Sequence, residues 1–208
     1  MKAFKRLFIA LLHYPVYNKK REVVHTTITN YDLHDISRTA ATYNIGCFFL
    51  INPIPSQYEL SQRIRRHWVS GFGATYNPNR KQALAYSQVV DSLATATEQI
   101  AAQTGRQRKI HLVTTSAQPR DGQVGHGQIS RMVQREEIVC LLFGTGWGLT
   151  DETYRMADTH LAPICGAGEY NHLSVRSAVA ITLDRILYPL LDDGSAQPGE
   201  TGSAPAGN

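Results

Sequence analysis

Residues 141–151 read LLFGTGWGLTD, and the apolar run IVCLLF at 138–143 leads directly into glycines at 144, 146 and 148. Six apolar residues with no polar interruption are the pattern of a strand buried on both faces, as in a parallel sheet. Glycines at its exit permit positive φ and close approach to the backbone. Neither common phosphate motif fits. A P-loop needs G-x-x-x-x-G-K-[ST], and no Lys follows here. A dinucleotide fingerprint needs G-x-G-x-x-G opening a helix, whereas the third glycine arrives one residue early and Leu149, Thr150 and Asp151 precede any helix, which disfavours a nucleotide-dependent oxidoreductase. Exposed amides and carbonyls able to grip the edge of a flat ring suit an adenine. The competing reading is a glycine-rich turn in which Trp147 plugs the core.

Four further short apolar runs, at 7–15, 47–52, 110–115 and 160–164, read as buried strands. Helical spacing falls between them. Leu33, Ile36, Ala40 and Tyr43 follow a capping Asp32, residues 57–69 and 81–103 are helical, and Val179, Leu183, Ile186, Leu187 and Leu190 form the stripe of a last helix, with Arg176 and Asp184 on its other faces. Residues 71–80, GFGATYNPNR, read as a loop. Strands alternating with helices predict an α/β domain with a mostly parallel sheet flanked by helices, whose ligands collect at the carboxyl ends of the strands.

The chain has 208 residues, 42% hydrophobic and 18% charged, enough for one domain with a full core. That domain is assigned to 1–191. From 192 to 208, DDGSAQPGETGSAPAGN offers no large apolar residue to offset its ordering entropy and reads as a disordered acidic tail. The net charge is +4, but residues 1–191 hold all 21 Lys and Arg against 14 acidic side chains. A basic domain favours a polyanionic partner, because neutralised phosphates release condensed counterions. Three scattered cysteines without a CxxC pair suggest a reducing compartment, hence the cytoplasm. No apolar run approaches the roughly 18 residues of a membrane span. No HxH or HExxH spacing occurs, and no metal is assigned.

Basic and aromatic residues interleave at RIRRHW (63–68), followed by GFGATYNPNRK. Arg63, Arg66, His67, Tyr76, Arg80 and Lys81 suit phosphate contact beside stacked, unpaired bases. The plainer reading is a solvated basic helix anchored by Trp68.

Three blocks in order, TNYDLHDISRTAATYN, GTGWGLTDE and NHLSVRSAVAI, with GFGATYNPNR between the first two, resemble the SPOUT superfamily of S-adenosylmethionine-dependent RNA methyltransferases. More closely they resemble the small bacterial family related to domains joined to tRNA (guanine-N1) methyltransferase, over nearly all of residues 7–187. The resemblance implies a C-terminal deep trefoil knot, a homodimer, and tRNA as the favoured RNA. It implies three walls around S-adenosylmethionine, with S-adenosylhomocysteine as product: Leu142, Gly144, Thr145, Gly146, Gly148 and Leu149; then Ile164, Gly166 and Gly168; then Leu173, Ser174 and Val175. It implies that Arg38 orients the acceptor, since an arginine stands at this place in ribose-methylating members. The sequence has Asp32 where the first block often has Asn, and Asn171 one position before His172, where the third block commonly reads N-[VL]-S. Asp32 and His172 are the candidate proton acceptors, His being better matched in pKa. A plainer role for Arg38 is an ion pair with Asp32 or Asp35. The rival function is a noncatalytic knot-fold module that binds RNA or the cofactor as a partner.

Overall fold

The computed structural model describes residues 2–192; apart from Asp192, the tail assigned from sequence lies outside the described residues. In chain order the elements are β1 (Phe4–Leu12), β2 (Val16–Tyr17), β3 (Val23–Val24), α1 (Asn30–Thr42), β4 (Ile45–Ile51), α2 (Pro55–Val69), α3 (Phe72–Tyr76), α4 (Pro78–Ala85), β5 (Ser87–Val90), α5 (Leu93–Thr104), β6 (Ile110–Thr114), β7 (Gln123–Val124), α6 (His126–Gln134), β8 (Ile138–Gly144), α7 (Asp151–Met156), β9 (Thr159–Leu161) and α8 (Val175–Leu191). Seven strands form one sheet in the order β5-β4-β1-β8-β6-β9-β7, every pair parallel, while β2 and β3 form an antiparallel hairpin.

Successive strand residues face opposite sides of a sheet, and β1 divides accordingly. Leu7, Ile9 and Leu11 enter a core completed by α1, α4, α6 and α8, whereas Phe8, Ala10 and Leu12 face α5 and Tyr154 of α7. Both faces are covered, which explains the unbroken apolar runs of the central strands. The stripe read on α8 is real: Val179, Leu183, Ile186 and Leu187 are fully buried, each stabilising by about 2 kcal/mol.

Sequence periodicity merged what the structure separates at 81–103. Two helices there flank β5, because Ser87, Val89 and Val90 are buried beside β4 and Ser92 caps α5 by accepting from the Thr95 amide. The loop expected at 71–80 contains α3 and the start of α4, which Asn77 caps and Pro78 opens. Asp32 is not the cap of α1. Thr29 is: its Oγ1 accepts from the Asp32 amide and donates to the Asp32 carboxylate at 2.6 Å. Beyond Leu161 the run 160–164 leaves the sheet.

Candidate functional site

Strands β1 and β8 lie side by side with Leu12 opposite Gly144, yet their chains leave in opposite directions, towards α1 and β4 on one side and towards α7 and β9 on the other. That is the switch point where open parallel sheets form a crevice. The glycine turn fills it. Gly146 and Gly148 have φ of 58° and 100°, the left-handed region that favours glycine. The β2–β3 hairpin pins the turn from above: the Trp147 amide donates to the Tyr17 carbonyl at 2.8 Å, and the Tyr17 amide donates to the Gly148 carbonyl at 2.9 Å. A Cβ on Gly146 would lie 2.9 Å from that Tyr17 carbonyl, and one on Gly144 only 2.8 Å from the Leu149 amide nitrogen. Leu149 is buried, but Trp147 is 65% exposed and plugs no core.

Residues 162–174 form the second loop. Among the described residues, no backbone amide from 164 to 173 donates to another group, so this stretch presents free hydrogen-bonding backbone. Asn171 anchors it, its amide donating to the Ala117 carbonyl at 3.0 Å, and Ser174 ends it as the cap of α8. His172 is exposed and meets the ring of Tyr170 edge-on; Leu173 is exposed, and Val175 packs against the core.

Asp32 is 4% exposed, with one oxygen on Thr29 and the other 3.1 Å from Arg176 of α8. Arg176 also reaches Asp35 at 3.4 Å. The carboxylates offered to Arg38 are thus taken, and Arg38 is exposed with no ion pair or hydrogen bond among the described residues. A second buried polar group joins this region to the glycine turn. His13 Nδ1 is 2.9 Å from Thr26 Oγ1, which is hydrogen-bonded to Thr145 Oγ1, which donates to the Leu12 carbonyl. Burial lowers the His13 pKa to about 4, against weaker opposing effects of Asp32 and Thr26.

The free guanidinium of Arg38 opens into a cleft of about 630 Å³ between α1, α2 and α4. Arg63, His67 and Arg80 line it with Arg38, so four of the sequence-assigned residues converge. Arg66, Tyr76 and Lys81 are exposed outside it, Tyr76 stacked on Phe72. The anchor read at Trp68 is more than an anchor: Arg80 lies 4.3 Å over its ring, while His34 and His67 meet it edge-on. Burial and then Arg80 lower the pKa of His34. Tyr31, 70% exposed at the same cleft, was not singled out by sequence, although it directly precedes Asp32 in the first block. His13 and Thr26 also escaped it, since neither belongs to a motif. No three His, Cys, Asp or Glu side chains gather in a metal-holding group among the described residues.

A family model described as SAM-dependent RNA methyltransferase matches residues 6–188. A tRNA (guanine-N(1)-)-methyltransferase of Oleidesulfovibrio alaskensis is 39% identical over 183 residues, covering 88% of this chain and 42% of the relative. The chain therefore spans about two fifths of the curated relatives it first matches. An uncharacterized protein of Aquifex aeolicus is 37% identical, with 88% of both chains covered. Among solved structures, a TrmH/SpoU tRNA modifying enzyme of A. aeolicus shares the fold at 14% identity and a TM-score of 0.53, over 91% of this chain and 78% of that one. The residues here fit S-adenosylmethionine. A Cβ on Gly148 or Gly168 would meet nothing within 4 Å and one on Gly166 only the Tyr170 carbonyl at 3.7 Å, so both loops offer open backbone to a flat ring. With the match spanning nearly the whole described domain, the chain belongs to the S-adenosylmethionine-dependent RNA methyltransferase family and has the α/β fold of SPOUT enzymes.

Proposed function

We propose that this methyltransferase acts on tRNA, with the acceptor nucleotide entering the cleft of Arg38, Arg63, His67 and Arg80. The convergence of those four side chains with Tyr31 around 630 Å³ carries the reading, because it pairs phosphate-binding cations with an exposed ring. The tRNA-directed relative and the tRNA modifying structural neighbour support the choice of RNA. S-adenosylmethionine supplies, when bound, a methyl on sulfonium that needs no metal. The glycine turn and the 164–173 backbone hold its adenine and ribose, with Leu142, Thr145, Leu149, Ile164, Leu173 and Val175 as flanking walls.

The chain's own task is to hold a nucleophile in line and take its proton. Arg38, a permanent cation without a partner among the described residues, orients a phosphate or the acceptor oxygen. Exposed His172 accepts the proton at a ring nitrogen. Asp32, buried and shared between Thr29 and Arg176, sets the joint of α1 and α8, into which the second loop leads. Asn171 fixes the position of His172. The C-terminal segment threads a knot, a reading supported by β9 lying between β6 and β7 before the chain returns through 162–174 to pack α8 on α1. A homodimer is what the resemblance to SPOUT enzymes implies for this chain. No described helix is long and apolar enough to cross a membrane.

The test is incubation with methyl-labelled S-adenosylmethionine and tRNA from a strain lacking the gene, beside Arg38→Ala, with nucleoside digestion of the product. Label with the native protein alone is the expected result and names the atom methylated. Absence of label while the cofactor binds would point instead to a noncatalytic binding module.

A further inference from the structure

Trp147 is exposed where a tryptophan has every reason to be buried. Its neighbours Gly146 and Gly148 both take positive φ, and the hairpin clamps the turn on both sides of it through Tyr17. The indole is therefore carried on a hydrogen-bonded turn with 65% of its surface facing solvent, open to stacking by a base.

The hairpin above it is basic and also hydrogen-bonded. Asn18 Oδ1 accepts from the amides of Lys20 and Glu22 at 2.8 and 3.0 Å, and the Asn18 amide donates to the Glu22 carbonyl. Arg21, at φ 61°, lies 4.4 Å over the Tyr17 ring and 2.9 Å from Asp151, so its charge is engaged. Arg120 approaches the same carboxylate at 3.8 Å, and Glu22 is held by the Asn18 side-chain amide at 2.7 Å. Lys19 and Lys20 differ. Both are exposed, and neither ammonium makes an ion pair or hydrogen bond among the described residues.

We propose that Trp147 with Lys19 and Lys20 forms a second RNA contact, in which one unpaired base stacks on the indole and the adjoining phosphates meet the two lysines. This rests on the RNA reading above and extends it to a surface outside the cleft. Distance allows one strand to use both places. Thr26, which touches Thr145 of the glycine turn, is four residues before Asn30 of the cleft, and four residues span at most about 14 Å. Stacking on an aromatic ring tolerates any base, so this contact adds affinity and register while the cleft selects the nucleotide.

The experiment measures binding of a fluorescein-labelled tRNA transcript and of a single-stranded oligoribonucleotide of about 12 nucleotides. Trp147→Ala, Trp147→Phe and the pair Lys19→Gln with Lys20→Gln are compared with wild type, with cofactor affinity and solution mass measured on each. Trp147→Ala weakens RNA binding about tenfold, and Trp147→Phe restores most of it. The lysine pair reduces the slope of log affinity against log salt by about 1.4, two single-strand contacts' worth. Cofactor affinity, mass and melting temperature stay unchanged. RNA affinity of Trp147→Ala within about twofold of wild type overturns the inference while leaving the RNA reading intact. Loss of cofactor affinity or a change of mass also overturns it, by giving the indole to the cofactor or to a second copy. If wild type binds neither RNA, both readings fall together.

Discussion

The Arg176 guanidinium, in the first turn of α8, lies 3.1 Å from the Asp32 carboxylate in the first turn of α1, joining two helices 144 residues apart in sequence. Asp32 is nearly fully buried, and its two carboxylate oxygens are taken up by this partner and by Thr29. Breaking a buried pair costs about 3–5 kcal/mol, and because Arg176 is a third exposed the loss here is nearer about 2 kcal/mol. Arg176→Ala is expected to lower the unfolding free energy by that amount in urea titration. Combined with Asp32→Asn, the loss is less than additive by about 1 kcal/mol or more. Additivity would show that the two groups do not interact.

Arg38 stands one turn and a half further along α1 with no ion pair or hydrogen bond among the described residues. Arg38→Ala therefore leaves stability within about 0.5 kcal/mol of wild type. On its proposed role of positioning the acceptor, methyl transfer falls by about 100-fold. Arg38→Lys recovers only part of the rate, since a point charge replaces the planar fork. A stability loss matching the activity loss would assign Arg38 to the framework instead.

The sheet was readable because its central strands are buried on both faces, and uninterrupted runs such as IVCLLF have few other uses. The edge strand β5 was not, since SQVV is four residues long and lies between two helices whose pattern it continues. Site residues divide in the same way. Glycines 144, 146 and 148 announced their turn through composition, whereas the pairing of Asp32 with Arg176 and the cleft that gathers Arg38 with Arg80 are tertiary facts with no local trace. Asp32 was misassigned as a cap because Thr29, three residues earlier, satisfies the same short rule.

Cys165 is exposed in the second loop, while Cys47 and Cys140 are buried in the sheet and burial raises both thiols to about 12. Thiolate is the reactive form, so a neutral-pH alkylating reagent modifies Cys165 alone in the folded protein. Saturating S-adenosylmethionine slows that reaction if the 164–173 backbone holds the cofactor. Mass spectrometry after proteolysis reads the site; equal rates with and without cofactor would remove this loop from the cofactor site.

His13 links stability to pH. Its ring is 1% exposed, and burial lowers its pKa from 6.5 to about 4 in the folded protein. Above pH 6.5 the ring is neutral folded or unfolded, and no difference arises. Between about 6.5 and 4 only the unfolded chain binds the proton, so stability falls as the pH falls, by on the order of 3 kcal/mol across the window. Below the folded pKa this contribution levels off. The expected result is a urea midpoint that drops steadily from pH 6.5 to 4 in wild type and drops less in His13→Asn. A smaller slope persists in the variant, because burial also lowers His34 and His126, with Arg80 and Arg185 acting in the same direction. His13→Asn also loses stability at pH 7, by about 1 kcal/mol, if its side chain fails to replace the hydrogen bond to Thr26. Since Thr26 is hydrogen-bonded to Thr145, that loss loosens the glycine turn as well and weakens S-adenosylmethionine binding at neutral pH. Identical pH profiles for the two proteins would mean that His13 is protonated in the fold, with Asp32 as its counter-charge.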